Sequence, residues 1–125
     1  MKQREDIINN YFDGYNNFDI KKMCKDVDHS IRFENIEEGR MDILILGLPS
    51  FTQQAEKVTT YFVSRKITII SFNHTDEQTE AEVVFKALLA KDISNKFKAG
   101  DELNLTGKSI FKFSGNKIKM IRDIS

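Results

Sequence analysis

The chain has 125 residues, 40% hydrophobic and 30% charged, with Lys+Arg and Asp+Glu balanced at 19 each. That length fits one domain, residues 1–125, around a single core, and the balanced charge supplies no global field for nucleic acid or an anionic membrane. One cysteine excludes an intrachain disulfide, and no Cys/His cluster has zinc-like spacing, so no metal or cofactor is expected.

No apolar run approaches the ~18 residues of a membrane-spanning helix, and the N-terminus MKQREDIINN lacks the apolar segment of a secretion signal. A cytoplasmic location is the expectation. Ile7, Ile8, Tyr11, Phe12 and Tyr15 recur at helical spacing and predict a helix from about Arg4 to Tyr15. Gly14 and Asn16-Asn17 read as its terminators, because both residue types tolerate the left-handed conformation at a helix end. Asp19 can cap a second, shorter helix with Ile20, Met23, Cys24 and Val27 on one face. In that stripe Cys24 reads as a buried thiol, not a nucleophile.

His29 to Ile36 alternates, with Ile31, Phe33 and Asn35 on one face against Arg32 and Glu34, which predicts a half-buried strand. Glu37-Glu38-Gly39 turns the chain, and the type of the apolar run Met41 to Leu46 stays open. After the break at Gly47-Leu48-Pro49-Ser50, Ser50 with Gln53 has capping-box spacing. It opens a helix with Phe51, Ala55, Val58 and Phe62 inward, ending near Ser64.

Lys66 to Asn73 reads as a strand apolar on both faces. Thr79 to Ala90 reads as another, with Ala81, Val83, Phe85, Ala87 and Leu89 on one face. Two alternating runs, Leu103 to Phe113 and Ile118 to Ile124, meet at Ser114-Gly115-Asn116-Lys117 and predict a β-hairpin. Strands of roughly a dozen residues at ~3.3 Å each must twist and curl. The pattern therefore implies an α+β fold: a curved antiparallel sheet packed by three helices from the N-terminal half, with a pocket at its open end.

Tyr11, Tyr15, Phe33, Asn35, Ser109 and Phe111 are expected to face that pocket. In the last strand Ile118, Met120, Arg122 and Ile124 share one face, and Asp123 shares the other with Lys117, Lys119 and Ile121. Asp123 enters the pocket only if the strand bulges or twists between Lys119 and Asp123; otherwise it is a surface carboxylate. Ile70, Phe72, Val84, Leu88 and Ile110 would leave apolar surface outside the sheet, which predicts a homodimer through that face. His29 and His74, at strand ends, are expected in solvent.

The element order α-α-β-(β)-α-β-β-β, with YFDGYNNFDIKKM opening the chain and IKMIRDIS closing it, resembles the nuclear transport factor 2-like superfamily. Its members include ketosteroid isomerases, limonene-epoxide hydrolases and SnoaL-type polyketide cyclases. The resemblance implies a cone-shaped fold with a pocket at the wide end and dimers through the outer sheet surface. Against the isomerases, Tyr11 falls where a tyrosine donates to the substrate oxyanion. The general-base aspartate falls at Asn35, and the protonated aspartate of the oxyanion hole at Ser109. Against the epoxide hydrolases, the asparagine and aspartate that hold a water fall at Asn35 and Asp123. That family's tyrosine falls at Phe33, and its arginine and second aspartate fall at Val83 and Phe85.

The resemblance thus implies Asp123 as base or water activator, Asn35 as an orienting group and Tyr11 as a donor to oxygen. Tyr15, Phe33, Phe51, Val83, Phe85, Ser109 and Phe111 would form the ligand-binding wall. Two functions remain open: a pocket acting on a small hydrophobic molecule, and a non-catalytic binding or association module. In the second, Phe33, Phe51, Phe85, Phe111 and Phe113 would fill the cavity. A void beside Asn35 and Asp123 discriminates between them.

Overall fold

A computed structural model describes residues 1–125. Three helices and six strands follow one another as α1 (Lys2–Asn16), α2 (Ile20–Met23), β1 (Val27–Glu37), β2 (Arg40–Leu46), α3 (Leu48–Thr59), β3 (Phe62–His74), β4 (Thr79–Leu89), β5 (Glu102–Ser114) and β6 (Lys117–Ile124). The strands form one curved, unclosed sheet in the order β2-β1-β6-β5-β4-β3, antiparallel throughout except for the parallel pair β1 and β6. The architecture is the α+β layer that the sequence pattern implies, with the run at Met41 to Leu46 resolved as edge strand β2.

The apolar stripe of α1 supplies the core. Ile7, Ile8, Tyr11 and Phe12 pack with Met23, Val27 and Ile31, and with Ala81, Val83, Phe111, Ile118 and Ile121 of the sheet. Tyr11, Phe12 and Phe111 meet edge to face, with ring centroids 5.3–5.7 Å apart.

Gly14 does not terminate α1. It lies inside the helix, where a Cβ would stand 2.4 Å from the backbone nitrogen of Met23 and 2.7 Å from its Cα. Glycine is there for the close approach of α2 to α1. The chain reverses instead at Phe18, with φ 57°, and Asp19 caps α2 by accepting from the Lys22 amide at 3.1 Å. Val27 belongs to β1 rather than to α2.

Helix α3 also differs from its reading in sequence. Gly47, with φ 90°, is the N-cap and Pro49 occupies the first turn, so Ser50 lies within the helix and forms no capping box. The helix ends at Thr59 rather than near Ser64. The Thr59 and Thr60 hydroxyls donate to the Glu56 and Lys57 carbonyls, closing the last turn, and Tyr61-Phe62-Val63 carries the chain into β3. Phe62 therefore starts a strand.

Two bulges decide which side chains reach the inner face. In β3 the register against β4 shifts between Ile69 and Ser71, leaving Ile70 as the extra residue. Phe72, expected outside, consequently pairs with Ala81 and packs on the core, while Ile70 is 61% exposed. In β6, Phe113 pairs with Ile118 but Lys112 pairs with Met120, so Lys119 is the extra residue. Alternation restarts there: Ile121 opposes Phe111, and Asp123 opposes Ser109 on the inner face.

On the opposite face Glu34 is only 3% exposed, accepting from Arg32 Nε and Arg122 Nε at 2.5 and 2.8 Å. Together the two hydrogen bonds hold its carboxyl below the usual range. Ile110, expected as free outer surface, is 7% exposed between Glu80 and Arg122 of the flanking strands. His74 is likewise engaged rather than solvated. Its ring bridges Glu5 at 2.6 Å and Thr79 at 2.8 Å, while His29 is exposed.

Candidate functional site

A cavity of about 430 Å³ lies between the concave face of the sheet and the helices. That size suits a small organic ligand, for which pockets run to roughly 300–1,000 Å³. Helix α1 contributes Tyr11 and Tyr15, and α3 contributes Phe51, Gln54, Ala55 and Val58. From the sheet come Phe33 and Asn35 of β1, Ile43 and Ile45 of β2, Phe62 and Arg65 of β3, Phe85 of β4 and Asp123 of β6. Ile93, from the β4–β5 connection, completes the rim.

A smaller cavity of about 240 Å³ borders several of the same residues, Tyr15, Asn35, Phe85 and Asp123. Its other lining, which includes Val83, Thr106, Gly107, Lys108 and Ser109, comes from the sheet. Asp123 stands in the wall common to both.

Registry places Asn35, Asp123 and Ser109 side by side on the adjacent strands β1, β6 and β5. The Ser109 hydroxyl donates to Asp123 Oδ1 at 2.7 Å. No cation pairs with this carboxylate. Removal from water pushes its pKa up from 3.8 to about 6, and the Ser109 hydrogen bond opposes that rise only in part. At neutral pH Asp123 is thus mostly ionised, yet a stronger base than an ordinary aspartate.

Asn35 is a neighbour of Asp123 but is turned elsewhere. Its Nδ2 donates to Asp42 Oδ1 of β2 at 2.9 Å. The rings of Tyr11 and Tyr15 both line the cavity, and the Tyr15 phenol lies against the Arg65 guanidinium. Burial raises both: Tyr15 reaches about 12 and Tyr11 goes well above its ordinary value, with the Asp123 charge adding to each. Both are therefore neutral donors.

Of the residues singled out from sequence, Tyr11, Tyr15, Phe33, Asn35, Phe51, Phe85 and Asp123 line the larger cavity. Val83 and Ser109 border the smaller one. Phe111 lines neither; it is fully buried against Tyr11 and Phe12. Its place on the inner face points it beneath α1, into the core.

Arg65 was not anticipated. It is 5% exposed at the cavity wall, with Nε donating to the Tyr15 carbonyl at 2.7 Å. Its guanidinium lies 3.7 Å from the Tyr15 ring centroid and 4.6 Å from that of Phe18. Extending the alternation of Ile67 and Ile69 back by one step would have placed Arg65 on the inner face, but the overlong α3 concealed it. Gln54, on the same stripe of α3 as Phe51, was also legible and overlooked.

The sequence matches no protein-family model, and no curated protein resembles it significantly. Solved structures do. A protein assigned as a polyketide cyclase from Xanthomonas campestris pv. campestris superposes with TM-score 0.83 at 14% identity, covering 99% of this chain and 90% of the other. An LEH-like epoxide hydrolase from M. tuberculosis gives 0.78 at 10% identity, with 98% and 82% covered. A protein of ketosteroid isomerase-like fold from Catenulispora acidiphila, in complex with trimethylamine, gives 0.75 at 8% identity, with 94% and 82% covered. At these identities the likeness is one of fold.

Proposed function

We propose that this chain, which has the nuclear transport factor 2-like fold of those neighbours, is an acid–base enzyme acting on a small, largely apolar compound in the larger cavity. One observation carries the reading. A carboxylate with no cationic partner, its pKa lifted to about 6, stands at the wall of an apolar cavity that two buried, neutral phenols also line.

The reaction class this supports is proton abstraction from carbon next to a carbonyl. Asp123 removes the proton, the C–H electron pair becomes a C=C bond, and the carbonyl π electrons move onto oxygen. Tyr11 or Tyr15 donates a hydrogen bond to that developing oxyanion. In an isomerisation Asp123 returns the proton to a different carbon. In a cyclisation the enolate carbon attacks a second carbonyl, and the resulting alkoxide takes the proton. Asn35, hydrogen-bonded to Asp42, would contribute to the cavity wall beside Asp123.

A second reading, hydrolysis with water activated by Asp123, is supported by Asn35 and Asp123 facing each other in register. It is weakened at three positions. Phe33 carries no hydroxyl, Val83 and Phe85 supply neither cation nor acid for a leaving oxygen, and the Asn35 amide is committed to Asp42. The association-module reading required a filled cavity, and the void beside Asn35 and Asp123 counts against it.

Incubating the protein with a panel of hydrophobic ketones in D₂O, and following α-hydrogen exchange by NMR, tests the proposal. Exchange above the buffer rate that disappears in Asp123→Asn is expected. No acceleration by the wild-type protein, or equal acceleration by the variant, refutes it.

The reading places the enzyme in the cytoplasm as a homodimer through the outer sheet face. Val84 and Leu88 lie on that face of β4, and exposed Ile70, Leu44 and Leu46 add apolar surface in place of Phe72 and Ile110. Sedimentation at micromolar concentration should give twice the 14.5 kDa chain mass, and a monomer alone would overturn the assembly.

A further inference from the structure

Arg65 sits in β3 opposite Ala87, facing the cavity, and is the only Lys or Arg in the cavity wall. Its Nε donates to the Tyr15 carbonyl and the guanidinium also bears on the Tyr15 hydroxyl, but Nη2 is buried with no acceptor. None of the ion pairs in the chain includes it. The rings of Tyr15, Phe18 and Phe62 lie 3.7, 4.6 and 5.8 Å from the guanidinium carbon, which stabilises the charge through the ring faces. The Phe18 and Phe62 rings carry no acceptor, and Nη2 finds none on Tyr15 either. An unpartnered donor on a buried charge costs on the order of 1–3 kcal/mol or more.

A clamp between α1 and β3 explains the Nε bond to Tyr15, but leaves Nη2 unexplained. A planar fork of free N–H donors matches a carboxylate or another resonance-stabilised oxyanion.

We propose that Arg65 binds an anionic oxygen group of the compound that the cavity takes, so that the substrate is an organic acid with an apolar body. This deepens the reading of the cavity as an enzyme site and rests on it. The two charged groups of the cavity then orient the molecule. Asp123 repels the anionic end and Arg65 holds it, which turns the apolar, proton-bearing part toward the base. Tyr15 separates the two, its ring beneath the guanidinium and its phenol within the field of Asp123.

The test uses a matched pair of probes, 2-naphthoate and its uncharged carboxamide, titrated calorimetrically into the wild-type protein at mildly alkaline pH. Naphthoate should bind at least about tenfold more tightly, the order expected for a charge-assisted hydrogen-bonded pair. The preference should weaken with added salt. Arg65→Met should abolish the preference, bringing naphthoate affinity down to that of the carboxamide. Arg65→Lys keeps the charge and the stem, so it guards against a misfolded Met variant and should retain a reduced preference.

Equal binding of both probes by the wild type, or undiminished preference in a folded Arg65→Met, overturns the proposal while leaving the cavity reading intact. Failure of both probes to bind, together with no ketone exchange, removes the cavity reading and this inference with it. Ketone exchange without naphthoate preference refutes the role of Arg65 alone.

Discussion

Replacing Asp123 by Asn should make the protein more stable at neutral pH while removing the proposed base. The carboxyl titrates at 3.8 in its ordinary state and at about 6 here, because burial disfavours its charge. At about 1.4 kcal/mol per tenfold change in proton affinity, that displacement amounts to at most about 3 kcal/mol.

The sign follows from which state holds the proton. Below about pH 4 both folded and unfolded chains are protonated, and the residue contributes no difference. Between about pH 4 and pH 6 the unfolded chain releases its proton first, so stability falls as pH rises. Above about pH 6 the folded protein carries the full cost. Asn has nearly the same shape, can accept from the Ser109 hydroxyl, and does not ionise.

Urea unfolding followed by far-UV circular dichroism should therefore give equal stabilities near pH 4. By pH 8 the variant should lead by about 1–3 kcal/mol. Glu34, whose carboxyl is held low by Arg122 and Arg32, titrates identically in both proteins and cancels in the difference. A variant that is no more stable at pH 8, or a difference independent of pH, would refute the assignment of a desolvated, unpaired carboxylate.

Ser109→Ala removes the one hydrogen bond that stabilises the Asp123 carboxylate, so its pKa should climb further. The acid limb of the ketone-exchange pH profile should then move upward, with the alkaline plateau little changed; an unmoved limb would exclude the contact. Glu34→Gln leaves Arg32 and Arg122 facing a neutral amide and should cost about 1–3 kcal/mol at neutral pH. Because the Glu34 pKa is lowered by folding, that loss should shrink as pH falls through the carboxyl range, as urea midpoints at successive pH values will show.

The sequence reveals those parts of the fold that depend on uninterrupted period. Tyr11 and Tyr15 sit in a helical stripe, and the Gly115-Asn116 turn separates two alternating runs, so α1 and the β5–β6 hairpin could be read directly. A bulge is invisible to a period. Lys119 and Ile70 each shift alternation by one residue, and nothing in their side chains announces it, so Asp123 and Phe72 landed on the wrong faces or on neither. Helix α3 ran too long in sequence because Phe62 continues its apolar stripe by accident, and that error covered Arg65. The aspartate was legible as chemistry before it was legible as position. The arginine was legible as position, but only once the strand was given its true start.

Gly14 never touches the cavity, yet the seat of α1 against α2 depends on it. It precedes Tyr15 in α1, and its missing methyl group lets the backbone of Met23 come within 2.4 Å of where a Cβ would stand. The carbonyl of Tyr15 holds Arg65, and its ring supports the guanidinium, so that floor moves with α1. One carbon atom at position 14 would have to be accommodated by a rigid-body shift of α1, carrying Tyr11 and Tyr15 together relative to Asp123. The lining that α1 gives the cavity is in this sense positioned remotely, by an atom the chain lacks.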